Sequence, residues 1–418
     1  MRGLTLALTI ALFASAARAD NWPGWRGPNS NGVVPAGEYP TSWSDTDHVV
    51  WKVKLDGRGA STPAVWGDQI FITLGNDGRN RLQCIGRDGK VQWNAEVGED
   101  KGGKNGKASG SNPSCVTDGE FVFAYFKSGD LAAFDLKGKQ QWQKNVQEMY
   151  GDNTLWWDLG TSPVLTQDHV VITVMQTGPS FLAAFDKATG ELAWKQDRDL
   201  GAPLEAAQSY TTPIVANVGG EERIYVVGAD HVTAHSAATG KELWRVGGLN
   251  PTQHKYFRSI SSPTLIDGLL IAPYARGGSV TAVRLGGQGD VTQSHVAWTT
   301  TKAGADVPTP TGKDGRVYFC RDGGEVVSLD TKSGDVLHRT PLEKNRAKYS
   351  ASPVLVGDNL YVTREDGKTF VLDTTDKLKV VGANDIGGEQ TVASPIFVDG
   401  QILLRTYDHL YCIGKAGQ

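Results

Sequence analysis

The sequence predicts an all-β fold: an eight-bladed β-propeller of four-stranded antiparallel blades, closed by an N-terminal strand that completes the last blade. Three observations carry this. A proline-led element opens a strand at Pro63, Pro113, Pro163, Pro213, Pro263, Pro310, Pro353 and Pro395, at intervals of 42 to 50 residues, the length of four short strands with their turns. Tryptophan recurs at one register of these repeats, at Trp93, Trp142, Trp194, Trp244 and Trp298. The last copy stops one strand short, at Gln418, while a strand-like segment stands ahead of the first copy. Repeats grow without a larger single core, so 418 residues need not mean several domains. The 51 glycines and 12 tryptophans fit a chain of strands and turns.

Taken in order, the chain begins with Arg2 and an apolar run from Leu4 to Ala17, followed by Ala17-Arg18-Ala19. This is the pattern of a signal peptide cleaved after Ala19. The run is too short to span a bilayer, which takes about 20 residues. With no later apolar run of that length, the expectation is a soluble periplasmic or secreted protein without a membrane span. The domain reading is therefore a signal peptide at 1–19, an N-terminal strap at 20–48 and a propeller at 49–418. The strap holds Trp22, Trp25 and Trp43 with Gly27-Pro28, an irregular but apolar segment expected to cross the closing blade.

Within each repeat the proline sits at the start of the innermost strand, where a missing N–H costs least. Two hairpin strands follow, then a tight turn such as Lys187-Ala188-Thr189-Gly190, whose glycine supplies positive φ. The fourth strand carries the tryptophan, large enough to pack across the seam between blades. Val49 to Leu55, with Trp51 in the tryptophan slot, reads as the missing fourth strand of the last blade. Pairing it there satisfies two open edges at once. Four cysteines in an exported chain could form two disulfides. Cys84 and Cys412, however, occupy the slot filled by Ala133 and Ala184 in sister repeats, which favours small buried hydrophobes with free thiols.

These repeats carry a resemblance. Ala184-Phe185-Asp186-Lys187-Ala188-Thr189-Gly190-Glu191-Leu192-Ala193-Trp194 is similar to the pyrroloquinoline-quinone (PQQ)-like repeat, and His235 to Trp244 and Ser328 to Gly334 are further copies. The opening Trp22-Pro23-Gly24-Trp25-Arg26-Gly27-Pro28-Asn29 also resembles the start of exported bacterial PQQ-like proteins. That superfamily includes quinoprotein alcohol dehydrogenases and the outer-membrane assembly factor BamB, so the resemblance specifies fold better than function.

The resemblance implies an alternative enzyme reading: a PQQ-dependent alcohol or sugar dehydrogenase with PQQ and Ca²⁺ as cofactors. Against it, no two cysteines are adjacent and no Cys-x-x-Cys-His is present. Trp156-Trp157-Asp158 is the one tryptophan-aspartate element. His231 and His235 share a strand at a spacing of roughly 13 Å, too far apart for one metal. The net charge of −4 argues against nucleic-acid binding. The expectation is thus a non-catalytic binding or scaffold propeller, monomeric, with no cofactor or metal, that takes an envelope protein or a small anionic ligand.

Candidate binding residues come from the loops expected around the channel mouth. Arg58 and Arg258 precede the inner strands of blades one and five. Arg276, Arg321, Arg364 and Arg405 end the second strands of blades five to eight, a basic arc suited to carboxylates or phosphates. Trp157, Tyr210, Tyr349 and Tyr407 add aromatic surface. Asp322, Glu365, Asp366 and Asp408 are sequence neighbours of these arginines, and neutralisation within the turns is the competing expectation.

Overall fold

The computed structural model describes residues 20–415; the leader expected at 1–19 lies outside the described residues. Eight four-stranded antiparallel blades form a ring. Blade one comprises Ala64–Trp66, Gln69–Asn76, Arg79–Gly86 and Val91–Glu99, and the pattern repeats through blade seven. Blade eight is Ile396–Val398, Gln401–Arg405 and His409–Ile413, with Val49–Lys54 pairing on His409–Ile413 as its outer strand. The closing strand stands where the strand count places it. No helix among the described residues is long and apolar enough to cross a membrane.

The tryptophan slot has a two-sided explanation. Within a blade, each tryptophan lies opposite a small residue of the third strand: Cys412 faces Trp51, Cys84 faces Trp93, Ala133 faces Trp142 and Ala184 faces Trp194. All four cysteines are buried and free. A β-bulge follows that pair in each blade and increases the local twist. Across the seam, the indole lies on the third-to-fourth-strand turn of the next blade. Trp142 Nε1 donates to Lys187 O at 2.9 Å, and a Cβ at Gly190 (φ +69°) would meet Trp142 at 2.5 Å. Trp51, Trp93, Trp194 and Trp298 repeat this with Gly89, Gly138, Gly240 and Gly334.

Two blades lack the indole: blade six has His338 in the slot, and in blade seven another segment fills the gap. Blade seven has Gly382 in the slot, and residues of the N-terminal segment pack there. Trp43 is buried, donates its backbone N–H to Asn384 Oδ1 at 2.9 Å and stacks on Tyr361. Upstream, Val33–Val34 adds a parallel strand to Val354–Val356 of the same blade, and Trp22 bridges to Val65 of blade one. The segment thus runs across one end of the channel, from blade one to blades six and seven, where Arg26 donates to the carbonyls of Pro310 and Pro353.

One repeat differs from its expected register. In blade two the residue equivalent to Pro63 is Cys115, not Pro113, because Val116 pairs with Phe123 as Ala64 pairs with Phe71. Ser111-Asn112-Pro113 belongs to the loop ahead of the strand.

Candidate functional site

The residue ahead of each inner strand's first position is a serine or threonine. Its backbone N–H donates to the equivalent hydroxyl of the next blade. The chain of bonds runs Thr62, Ser114, Ser162, Thr212, Ser262, Thr309, Ser352, Ser394 and back to Thr62, at 2.8–3.1 Å. Seven of these residues precede a proline. Proline confines its predecessor to extended backbone and offers no N–H of its own, so the preceding N–H points sideways to the neighbouring blade. The result is a closed ring of eight hydroxyls around the axis.

The ring forms the waist of a cavity of about 750 Å³. Trp25 of the N-terminal segment lines one end. At the other, Trp157, Tyr210, Arg258 and the glycine-rich loop Asn105-Gly106-Lys107-Ala108 line the mouth. That loop is tied to several blades. Lys104 N donates to Asp158 Oδ2 at 2.8 Å and Lys107 Nζ pairs with Glu365 at 2.7 Å. Tyr407 OH donates to Lys107 O at 2.6 Å, and Arg58 donates to Gly106 O. The loop is a lid fastened to blades one, three, seven and eight.

The expected site residues separate into groups. Trp157, Tyr210 and Arg258 line the cavity. Burial raises the Tyr210 phenol well above its usual range, so it stays protonated; it accepts from Trp157 N at 3.1 Å and donates to Gln208 Oε1 at 3.0 Å. Arg258 pairs with Asp306 at 3.1 Å and Glu205 at 3.5 Å. Arg58, stacked 4.3 Å from the Tyr407 ring, and Tyr407 itself hold the lid. Arg276 reaches Glu205 at 3.5 Å beside the mouth.

The remaining four do not line the cavity. Arg321 pairs with Glu325 and Arg364 with Asp366, each at 2.9 Å, and Tyr349 is buried against Gly324. Arg405 is buried between blades eight and one, donating to Ser61 O and Thr73 O at 3.0 and 2.9 Å. The register corrects the expected arc: only Arg321 and Arg364 share a place in the repeat. Arg405 stands one residue earlier, on the other face of its strand, and Arg276 lies two residues later in a turn, so the four have four different sets of partners. Desolvation, with no ion-pair partner among the described residues, pulls Arg405 down to about 9, as it does Arg26.

The expectations from sequence leave out the hydroxyl ring and the lid, and they place Trp25 in the strap and Asp158 in a tryptophan-aspartate element rather than in the cavity. The recurring hydroxyl before proline was the available signal for the ring; only blade two, with Ser114 before Cys115, hides it.

Comparison with known proteins agrees with this architecture. A family model described as outer membrane protein assembly factor BamB matches residues 36–197, 152–294 and 290–418. BamB from Moraxella catarrhalis superposes with a TM-score of 0.64 at 14% identity, covering 88% of this chain and 99% of that one. A europium-containing methanol dehydrogenase gives 0.72 at 10% identity, with 95% and 98% covered. Quinohemoprotein alcohol dehydrogenase from Comamonas testosteroni gives 0.66 at 13%, with 96% and 82% covered. No curated protein matches by sequence. At these identities the structural likenesses speak for the fold alone, whereas the family model runs over nearly all the repeats, and the chain belongs to the BamB family of PQQ-like β-propellers.

Proposed function

We propose that this protein is an exported, non-catalytic binding scaffold of the cell envelope that engages a partner protein on the face where the channel opens. The observation that carries this reading is an exposed aromatic cluster beside the mouth. Trp156, Trp157 and Tyr256 are 47%, 48% and 41% exposed. They are nonetheless held in place: Trp156 lies 6.5 Å from Tyr256, and Trp157 Nε1 donates to Glu205 at 2.9 Å. Large aromatic side chains fixed at the surface are the residues from which interfaces draw most of their energy. The family match, to an assembly factor, supports a protein partner in the envelope.

The chemistry of the mouth also bears on the quinoprotein alternative. A quinone with Ca²⁺ needs several oxygen donors converging on one point, including free carboxylate. Asp158 is committed to Lys127 at 2.6 Å, and Glu365 to Lys107 and to Ser350 at 2.6 Å, on opposite sides of the ring. Among the described residues no three His, Cys, Asp or Glu side chains converge. This donor set does not fit a calcium–quinone pair.

Site-specific photocrosslinking in the native host tests the proposal. A probe at position 156 is expected to give a discrete adduct with one envelope protein, and a probe at Val381 on the outer rim none. No adduct from position 156, or dye-linked alcohol oxidation after reconstitution with PQQ and Ca²⁺, overturns it.

A further inference from the structure

We infer that the chamber at the hydroxyl ring binds a small oxyanion, a carboxylate or phosphate group, seated on the O–H donors of the ring. This rests on the reading of the channel face as the binding face and narrows it to one chemistry.

Each ring oxygen already accepts a backbone N–H from the preceding blade. A hydroxyl has one hydrogen of its own to give, and among the described residues none of the eight donates it to a protein acceptor. The ring residues are only 1–8% exposed, and seven of them line the cavity. Buried donors of this kind call for acceptor atoms inside the ring. A ligand that supplies only acceptors, as a carboxylate or phosphate does, matches them.

The surrounding charges select the sign. Two buried guanidiniums adjoin the ring. Arg26 donates to the carbonyls of Pro310 and Pro353, the residues after Thr309 and Ser352; Arg405 donates to the carbonyl of Ser61, the residue before Thr62. Neither has a carboxylate within ion-pair distance among the described residues. Arg258 lines the same cavity and, with Arg276, matches the carboxylates of Glu205 and Asp306, while its buried Nη1 keeps a donor without a hydrogen-bond partner among the described residues. The other carboxylates near the chamber are matched one to one, Asp158 by Lys127 and Glu365 by Lys107, which leaves Arg26 and Arg405 as the charges without a carboxylate. A charge held in a low-dielectric chamber acts more strongly than one in water, and the excess here is positive.

The purified chain is titrated in low-salt buffer with inorganic phosphate, citrate and glucose, followed by calorimetry and by melting temperature. Phosphate or citrate is expected to bind saturably and to raise the melting temperature with concentration, as mass action requires; glucose is not. The tighter of the two anions assigns the group recognised. Ser262→Asp and Ser352→Asp each keep an oxygen to accept the N–H from Thr212 or Thr309 but place negative charge in the ring. Each is expected to weaken anion binding by at least about tenfold with an unchanged circular dichroism spectrum. No saturable binding of either anion, binding unaffected in the folded Asp variants, or equal binding of glucose overturns the inference. Because no partner protein is present, failure here leaves the partner reading standing, and a failed crosslink leaves the anion site standing.

Discussion

The backbone N–H of Ser394 donates to Oγ1 of Thr62 at 3.1 Å. This bond completes the ring of eight between the last blade and the first. The chain therefore closes at two radii: at the outside through Val49–Lys54 on His409–Ile413, and at the axis through a hydroxyl. A break at the axis strands a buried N–H, which costs about 1–3 kcal/mol. Thr62→Val is expected to destabilise the protein by that amount in urea unfolding, while Thr62→Ser keeps the acceptor and stays close to wild type. Equal losses in both would show that the methyl group, not the hydroxyl, matters there.

The seam between blades two and three depends on Trp142 lying over Gly190. Removing a buried tryptophan leaves a cavity and costs about 3–5 kcal/mol. Trp142→Ala is expected to fall in that range by chemical denaturation. Gly190→Ala adds a methyl group against the indole at a positive φ and is expected to lower stability by more than about 1 kcal/mol. Trp156→Ala, at the surface, is expected to change stability by less than about 0.5 kcal/mol. That separates a packing role from a binding one by the same measurement.

At the outer closure Glu389 gathers the closing strand and blade eight. Burial alone would raise its pKa, but hydrogen bonds from Lys52, Tyr411, Thr406 and His409 hold it down at about 2. A carboxylate with a depressed folded-state pKa stabilises the protein above its unfolded value of 4.5 and loses that contribution as pH falls towards 2. Glu389→Gln is expected to be less stable than wild type at neutral pH, with the difference shrinking across this window. Melting temperatures of both proteins from pH 6 to pH 2 check it; parallel curves would remove Glu389 from the acid response.

The parts legible in the sequence are those that repeat with bulky or conformationally special residues. Trp51 at the tryptophan register and the missing last strand together specify the closure, because six of the eight blades carry an indole at that register and an open edge needs a partner. The Ser/Thr ring repeats as faithfully as the tryptophans, but its bonds run from backbone to hydroxyl between blades. Only the assembled ring makes its convergence visible. The arginines mislead for the opposite reason. Arg321 and Arg364 occupy one place in the repeat and pair with Glu325 and Asp366, but Arg405 stands one residue earlier, so the strand's alternation turns it inward onto two backbone carbonyls. The lid has no repeat to reveal it, being an insertion whose anchors, Asp158, Glu365 and Tyr407, lie in three distant blades.

Those anchors decide how readily the chamber opens. Lys107 is held twice, by its ammonium on Glu365 and by its carbonyl on the Tyr407 hydroxyl. An exposed ion pair contributes about 0.2–1 kcal/mol and a neutral hydrogen bond about 1 kcal/mol. Removing both by Lys107→Gln with Tyr407→Phe is therefore expected to speed hydrogen exchange across residues 102–108 by about tenfold, since 1.4 kcal/mol is a factor of ten in an opening equilibrium. The eight blades keep their own seams and ring bonds, so exchange in the blade cores and the global unfolding midpoint are expected to stay unchanged. If exchange in the lid does not respond, its position is set instead by Lys104 on Asp158 and Arg58 on Gly106. If the cores respond as well, the loop is part of the fold rather than a cover over the channel.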